Sequence, residues 1–386
     1  MLSKLLKNYW GFNLSIIFFC ISFGLNAYSI DFTMPVNCLY GKECFIMSYF
    51  NHETQSDNFS DYTCGRLSST KSTSTDFALK NYKQMLHGLN VTAADDGEVK
   101  VVRDGVADIS VSLIGEESVR GRECGNGIVI QHKSGYKTQY CHLKRGSILV
   151  KIGDKVEKGQ AIAQVGLSGL TTTPYLQFIV FKDKHTVDPF TGDDPVNGDA
   201  HVPCGSLDVY PLWDRETERM MKYIPTALLN TGFDQRIPHA QGAREDKFSR
   251  KEIKFDSKFM VFWADIFGII KGDKITLSII DPNGKTIITE TKEMTNSQIR
   301  HFQFIGKKPD TGTTWPLGQY TGEVILFRTY GQEGGSTIFD EKDTVQIVQV
   351  EDKPKVLLHE KHKVKKTRDQ DTNNGNNRDN PGENGL

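Results

Sequence analysis

The feature that most restricts the fold is a succession of short runs rich in β-branched and aromatic residues, each closed by glycine or another turn former. Between about Asp31 and Phe190 they include Glu98-Val-Lys-Val-Val-Arg103, Gly127-Ile-Val-Ile-Gln131, Lys137-Thr-Gln-Tyr-Cys141 and Tyr175-Leu-Gln-Phe-Ile-Val-Phe181. Such side chains fit a pleated surface, so this region reads as a mainly antiparallel β domain. Helix is scarce there. Phe77 to His87 has some helical character and is read as a loop with one or two turns, and a short helix is expected over Trp213 to Tyr223, where Arg215, Glu216, Glu218 and Arg219 make a solvated face. A second set of runs begins near Ile253. Lys274 to Ile280, a turn at Asp281-Pro-Asn-Gly284 and Lys285 to Thr289 form a hairpin signal. His301 to Ile305, Gln319 to Arg328 and Thr344 to Val350 follow at intervals that suit an immunoglobulin-like β-sandwich. The expected fold class is therefore mainly β.

At 386 residues the chain is long enough for two domains and accessories. Lys4 and Lys7 precede an apolar run from Leu14 to Leu25, and Asn26, Ala27, Tyr28 and Ser29 follow. These are the three zones of a signal peptide, and the run is shorter than the roughly 20 residues a membrane-spanning helix needs. Cleavage after Ala27 or Ser29 is expected; an uncleaved anchor reaching back through Trp10 and Phe12 is the alternative. Cys20 lies behind Phe18 and Phe19, where a lipid attachment signal would place small residues, and is not read as one. Setting Cys20 aside leaves Cys38, Cys44, Cys64, Cys124, Cys141 and Cys204. Behind an export signal an even count favours disulfides, and of the possible pairings Cys124 with Cys141, around a turn at Lys133 to Gly135, is plausible. No CxxC pair supports a cysteine metal site.

The expected organisation is a signal peptide over 1–29, a β domain with a cysteine-rich lead-in segment over 30–223, a β-sandwich over 224–350 and a disordered polar tail over 351–386. The tail carries a basic block from Lys353 to Arg368 and then Asn373-Asn-Gly-Asn-Asn377, with almost nothing apolar to bury. Lys and Arg number 47 against 48 Asp and Glu, a formal net charge of -1. Nothing global steers the chain toward nucleic acid. Membrane contact is expected only through the signal segment or the basic tail.

Three stretches carry the chemical information. The first is Cys64-Gly-Arg66 followed by Ser72-Thr-Ser-Thr-Asp76. The second runs Gly125-Asn-Gly-Ile-Val-Ile-Gln-His132, Tyr136-Lys-Thr-Gln-Tyr-Cys-His142-Leu and Gly153-Asp-Lys-Val-Glu-Lys-Gly-Gln160. The third is Thr173-Pro-Tyr175-Leu-Gln177-Phe followed by Val187-Asp-Pro-Phe190. In order and spacing they resemble the lysostaphin/LytM-type zinc endopeptidases, which cut peptide cross-bridges in peptidoglycan. The resemblance is close over Val91 to Phe190, looser over Pro35 to Asp76, and of the exported Gram-negative kind. Val91 to Val99 and Gly153 to Gln160 also look like halves of a biotinyl or lipoyl carrier, which needs a lysine displayed in a tight hairpin and would not need Tyr140-Cys-His142-Leu or Pro174-Tyr-Leu-Gln-Phe178.

The resemblance implies a zinc held by a His-x-x-x-Asp pair and by the second histidine of a His-x-His pair, with an open position for the attacking water. Carried over, the ligand positions fall on Ser72, Asp76 and Gln177, and only Asp76 is retained. Two further family histidines, which assist proton transfer and transition-state charge, fall on His142, retained, and Tyr175, substituted. A serine hydroxyl and a carboxamide are not usual zinc ligands, so no metal and no other cofactor is expected. His52, His87, His132 and His185 lie at no spacing that rebuilds the site. The expected centre is a hydrogen-bonded polar cluster of Ser72, Asp76, His142, Tyr175 and Gln177 lining a binding groove. The function that follows is an exported pseudo-peptidase, periplasmic or secreted in a Gram-negative envelope, that binds peptidoglycan peptide or an envelope protein such as a cell-wall hydrolase it regulates. The alternatives are an active endopeptidase with an unorthodox zinc site, and a structural or adhesive protein acting through its sandwich.

Overall fold

The computed structural model describes residues 30–53, 58–194, 203–207, 209–330 and 334–349. The expected signal peptide, Cys20 and the polar tail lie outside the described residues.

The first half of the chain contributes strands β1 (Cys44–Ser48), β2 (Thr75–Leu79), β3 (Asn90–Thr92), β4 (Gly97–Arg103), β5 (Asn126–Gln131), β6 (Tyr136–Leu143), β7 (Lys155–Val156), β8 (Ala161–Gln164), β9 (Tyr175–Lys182) and β10 (His185–Val187), with short helices α1 (Tyr82–His87) and α2 (Val111–Ile114). Eight of these strands form one antiparallel sheet, ordered β1-β2-β9-β6-β5-β4-β7 with β10 on β9, while β3 and β8 make a separate ribbon. The alternation expected of a half-buried strand is clear in β9: Leu176, Phe178 and Val180 are buried, while Tyr175, Gln177 and Ile179 are partly open on the other face. The buried face joins Ile128, Ile130, Tyr140, Leu176 and Phe178 in one core, which the lead-in segment covers with Phe32, Phe45 and Tyr49. Phe77 to His87 divides in two. Phe77 to Leu79 completes β2, and the helix starts only at Tyr82, where the Asn81 side chain accepts from the Gln84 N–H as an N-cap; Gly88, at φ 85°, closes it.

After helix α3 (Arg215–Met220) come β11 (Ala227–Asp234), α4 (Ala240–Arg244), β12 (Glu252–Lys254), β13 (Met260–Ile269), β14 (Lys274–Ile280), β15 (Thr286–Glu293), β16 (Gln298–Lys307), β17 (Gly318–Thr329) and β18 (Gly335–Val348). They form a three-stranded sheet, β11-β13-β16, and a five-stranded sheet, β12-β18-β17-β14-β15. The two sheets share one core: Phe262, Ala264 and Ile305 from the first meet Ile275, Leu277, Val324 and Ile347 from the second. This is a two-sheet sandwich. Its first hairpin turns where expected, with Asp281 Oδ1 accepting from the Asn283 and Lys285 N–H groups and Gly284 at φ 81°. Phe267 and Leu229 of the sandwich sheet belong to the first core, and the Phe267 and Phe45 rings lie 5.5 Å apart.

Three disulfides join Cys38 to Cys44, Cys64 to Cys204 and Cys124 to Cys141. The third is the pair the turn at Lys133–Gly135 made plausible. All six cysteines considered are thus paired, as suits an oxidising compartment. Among the described residues no helix is long and apolar enough to cross a membrane.

Candidate functional site

Strands β2, β9 and β6 lie side by side and bring the substituted centre together. Asp76 faces Gln177 across the β2–β9 pair, Ala78 faces Tyr175, and Gln177 faces Cys141, the residue before His142. Asp76, Tyr175 and Gln177 point from the partly open side of their strands, because each alternates with a buried apolar neighbour. His142, next to last in β6, has its backbone in the left-handed region, φ 61°, uncommon for a residue with a Cβ. Its N–H donates to the Cys124 carbonyl at 2.8 Å, and its carbonyl accepts from the Gly166 N–H at 3.0 Å. The Cys124–Cys141 disulfide anchors the same two segments.

The side chains interlock. The Ser74 hydroxyl donates to Asp76 Oδ1 at 2.8 Å, and the Gln177 carboxamide reaches Ser74 Oγ at a longer 3.4 Å. Burial raises the Asp76 carboxyl to about 7, only partly countered by the Ser74 hydrogen bond. No cation pairs with Asp76 among the described residues. Burial also lowers His142 to about 4, against the opposing pull of the Ser168 carbonyl. That carbonyl lies 2.7 Å from Nδ1 and can only accept, so the proton sits on Nδ1 and Nε2 is the basic nitrogen of a neutral ring. The Tyr175 ring lies 4.6 Å from the His142 ring, centroid to centroid. Burial, with the Asp76 charge adding to it, pushes the Tyr175 phenol well above its ordinary range, so it is a proton donor at any ordinary pH.

The structure therefore assembles Asp76, His142, Tyr175 and Gln177, and corrects the fifth member. Ser72 is engaged through its backbone, N–H to the Ser69 carbonyl and carbonyl to the Asn51 N–H, and the hydroxyl on Asp76 belongs to Ser74. Steps of two and four residues back from Asp76 reach Ser74 and Ser72 on the same face of an extended strand, so alternation admits both and only the start of β2 at Thr75 separates them. Sequence reasoning also missed Ser168, whose carbonyl sets the His142 tautomer.

The four histidines considered as substitute ligands lie elsewhere. His52 Nε2 sits 2.7 Å from Asp188 Oδ2 with both side chains fully buried, and His132 bridges the Asp96 carbonyl and the Thr138 hydroxyl. His185 Nδ1 lies 3.4 Å from Asp194, and His87 is exposed at the end of α1. The donor set at the centre does not fit zinc. At the positions where the family resemblance puts ligands it offers one carboxyl and one carboxamide, with a hydroxyl bonded between them, where zinc takes imidazole, thiolate or carboxylate. Among the described residues no group of three or more His, Cys, Asp or Glu is placed to hold a metal ion.

Residues 75–189 match the sequence model of Peptidase family M23. Peptidoglycan DD-endopeptidase ShyB of Vibrio cholerae serotype O1 is 38% identical over 109 residues, which are 28% of this chain and 21% of that protein. Peptidoglycan DD-endopeptidase ShyA of the same organism is 48% identical over 97 residues, 25% of this chain and 22% of that one. A solved zinc-containing peptidase from Vibrio cholerae is 29% identical with a TM-score of 0.27, covering 42% of this chain and 38% of its own. The chain spans about a fifth of the length of these curated relatives. Residues 75–189, which carry β2, β6 and β9, match Peptidase family M23, in keeping with the lysostaphin/LytM-type resemblance of the sequence.

Proposed function

We propose that this chain is an exported pseudo-peptidase whose LytM-type groove binds peptidoglycan peptides, or a peptide segment of an envelope protein such as a cell-wall hydrolase it regulates, without zinc-dependent cleavage. The observation that carries this is the hydrogen-bonded run from Gln177 through Ser74 to Asp76, flanked by Tyr175 and neutral His142, on strands that retain the peptidase frame. A phenol donor, an imidazole nitrogen acceptor and a carboxamide suit the amide groups of an extended peptide. We place the division between the M23-type part and the sandwich at 223/224, read the sandwich as an immunoglobulin-like module that spaces or presents the groove, and locate the protein in the periplasm or outside the cell.

The test is calorimetric titration of the disulfide-intact protein with purified muropeptides, beside metal analysis and a digestion assay. Saturable binding lost in Tyr175→Ala, with intact muropeptides recovered, supports the proposal. Stoichiometric zinc with fragment release, both abolished by Asp76→Ala, would establish an active endopeptidase instead. Partner binding in envelope extract that survives Tyr175→Ala and Gln177→Ala together would move the function to the sandwich.

A further inference from the structure

A second concavity lies away from the groove, between the Phe59–Leu67 segment and the near end of the sandwich. Its volume is about 520 Å³, within the range of small-molecule sites. Phe59, Leu67, Pro225, Ile269, Ile270 and Ile299 give it a mostly apolar wall. Its position is built in: at Gly268, φ 72°, a Cβ would meet the Pro225 carbonyl oxygen at 1.7 Å, so the cleft edge requires glycine.

Most side-chain polar groups on the wall are already engaged. The Thr63 hydroxyl donates to Asp61 at 2.6 Å, and the Tyr223 hydroxyl donates to the same carboxylate at 2.7 Å. Ser297 accepts from the Lys271 N–H, and Gln298 Oε1 meets His301. Arg328 is buried against Asp273 at 2.8 Å and also donates to Thr226 and to the Gly268 carbonyl. Arg66 differs. It is exposed, forms no ion pair among the described residues, and holds its guanidinium over the Phe59 ring, 5.2 Å from the centroid. A guanidinium stacked on a ring keeps its N–H donors directed outward in its own plane, ready for a carboxylate.

The geometry points to a binding site for a long-chain carboxylate of the fatty-acid class, its acyl chain in the cleft and its head group on Arg66. A mostly apolar wall whose polar side chains are largely engaged with one another suits a ligand with no hydrogen-bonding groups along its body. A peptide fails that requirement, since each buried amide would lack a partner. Arg66, the one unpaired cation among the described lining residues, supplies charge complementarity at one end only.

The experiment is a fluorescence titration of the full, disulfide-intact chain with cis-parinaric acid, followed by displacement with palmitate, hexadecanol or an apolar tetrapeptide. Saturable one-to-one binding with Kd on the order of 1–10 μM is expected. Palmitate should displace the probe about tenfold better than hexadecanol, and Arg66→Gln should erase that preference while leaving hexadecanol displacement unchanged. Ile299→Trp, at a partly exposed position on the cleft wall, should weaken probe binding, whereas Tyr175→Ala in the groove should not. Failure to saturate by about 50 μM probe, equal displacement by acid and alcohol, unaltered binding in Ile299→Trp, or displacement by the tetrapeptide would each overturn the assignment. Near-UV circular dichroism establishes that the variants keep the fold.

Discussion

Asp76 is the residue on which the centre turns, because its carboxyl is desolvated with a hydroxyl for company and no cation. Its folded-state pKa, about 7, lies above the unfolded value near 3.8, so the folded protein holds this proton more tightly. Below about pH 4 both states are protonated and there is no penalty; as pH rises toward 7 the unfolded state alone ionises, and stability falls. Asp76→Asn removes the effect, so the variant should be more stable than the parent by about 1–3 kcal/mol at pH 8, with the difference gone at pH 4. Urea denaturation at the two pH values measures this, and an Asn variant no more stable at pH 8 would contradict the desolvated carboxyl. His142 gives the opposite sign. Its pKa is lowered to about 4 by burial, so the folded state resists protonation and stability drops as pH falls through the range between its unfolded value and 4. His142→Gln should flatten that acid limb, read from the same denaturation series extended to pH 4.

At the scale of elements, short β-branched and aromatic runs bounded by turn formers were legible in the sequence. The runs 98–103, 127–131, 137–141 and 175–181 fall inside β4, β5, β6 and β9; burial alternates in β5 and β9, whereas β4 is bulged near Val101 and β6 is buried on both faces from Tyr140. Met260–Ile269 is not among the expected runs although β13 is the centre of its sheet; all ten of its residues are buried, and a strand covered on both faces has no period to read. The centre follows the same logic. Asp76, His142, Tyr175 and Gln177 were reached through motif order, whereas the choice of Ser74 over Ser72 depends on where β2 begins, and Thr75 is its first residue. The disulfides were legible as a set but not as pairs, since pairing depends on tertiary approach. Cys64–Cys204 closes a loop across 140 positions, and replacing both by serine should cost about 3–5 kcal/mol, seen as a lower denaturation midpoint with an unchanged far-UV spectrum. A loss below about 1 kcal/mol would mean the unfolded chain is already constrained there.

For the whole molecule, the seam between the two cores decides how the parts behave together. Phe267 belongs to a sandwich strand yet packs in the first core against Phe45, and buried Asp265 on the same strand pairs with Arg244 and with Arg300. Arg300 then donates to the Lys80 carbonyl, one residue beyond β2, and Lys83 of α1 pairs with Asp246 beyond α4. Asp265→Asn leaves two arginines without their counter-charge and should cost about 3–5 kcal/mol, lowering the near-UV and far-UV transitions together. Two separated transitions in that variant would show that the seam does not couple the halves. The Lys80 contact has a mechanical meaning as well. The strand that carries Asp76 is tethered at its far end to the sandwich, so the polar centre has no gimbal. Holding the sandwich still also fixes the direction in which Asp76 and its neighbours face.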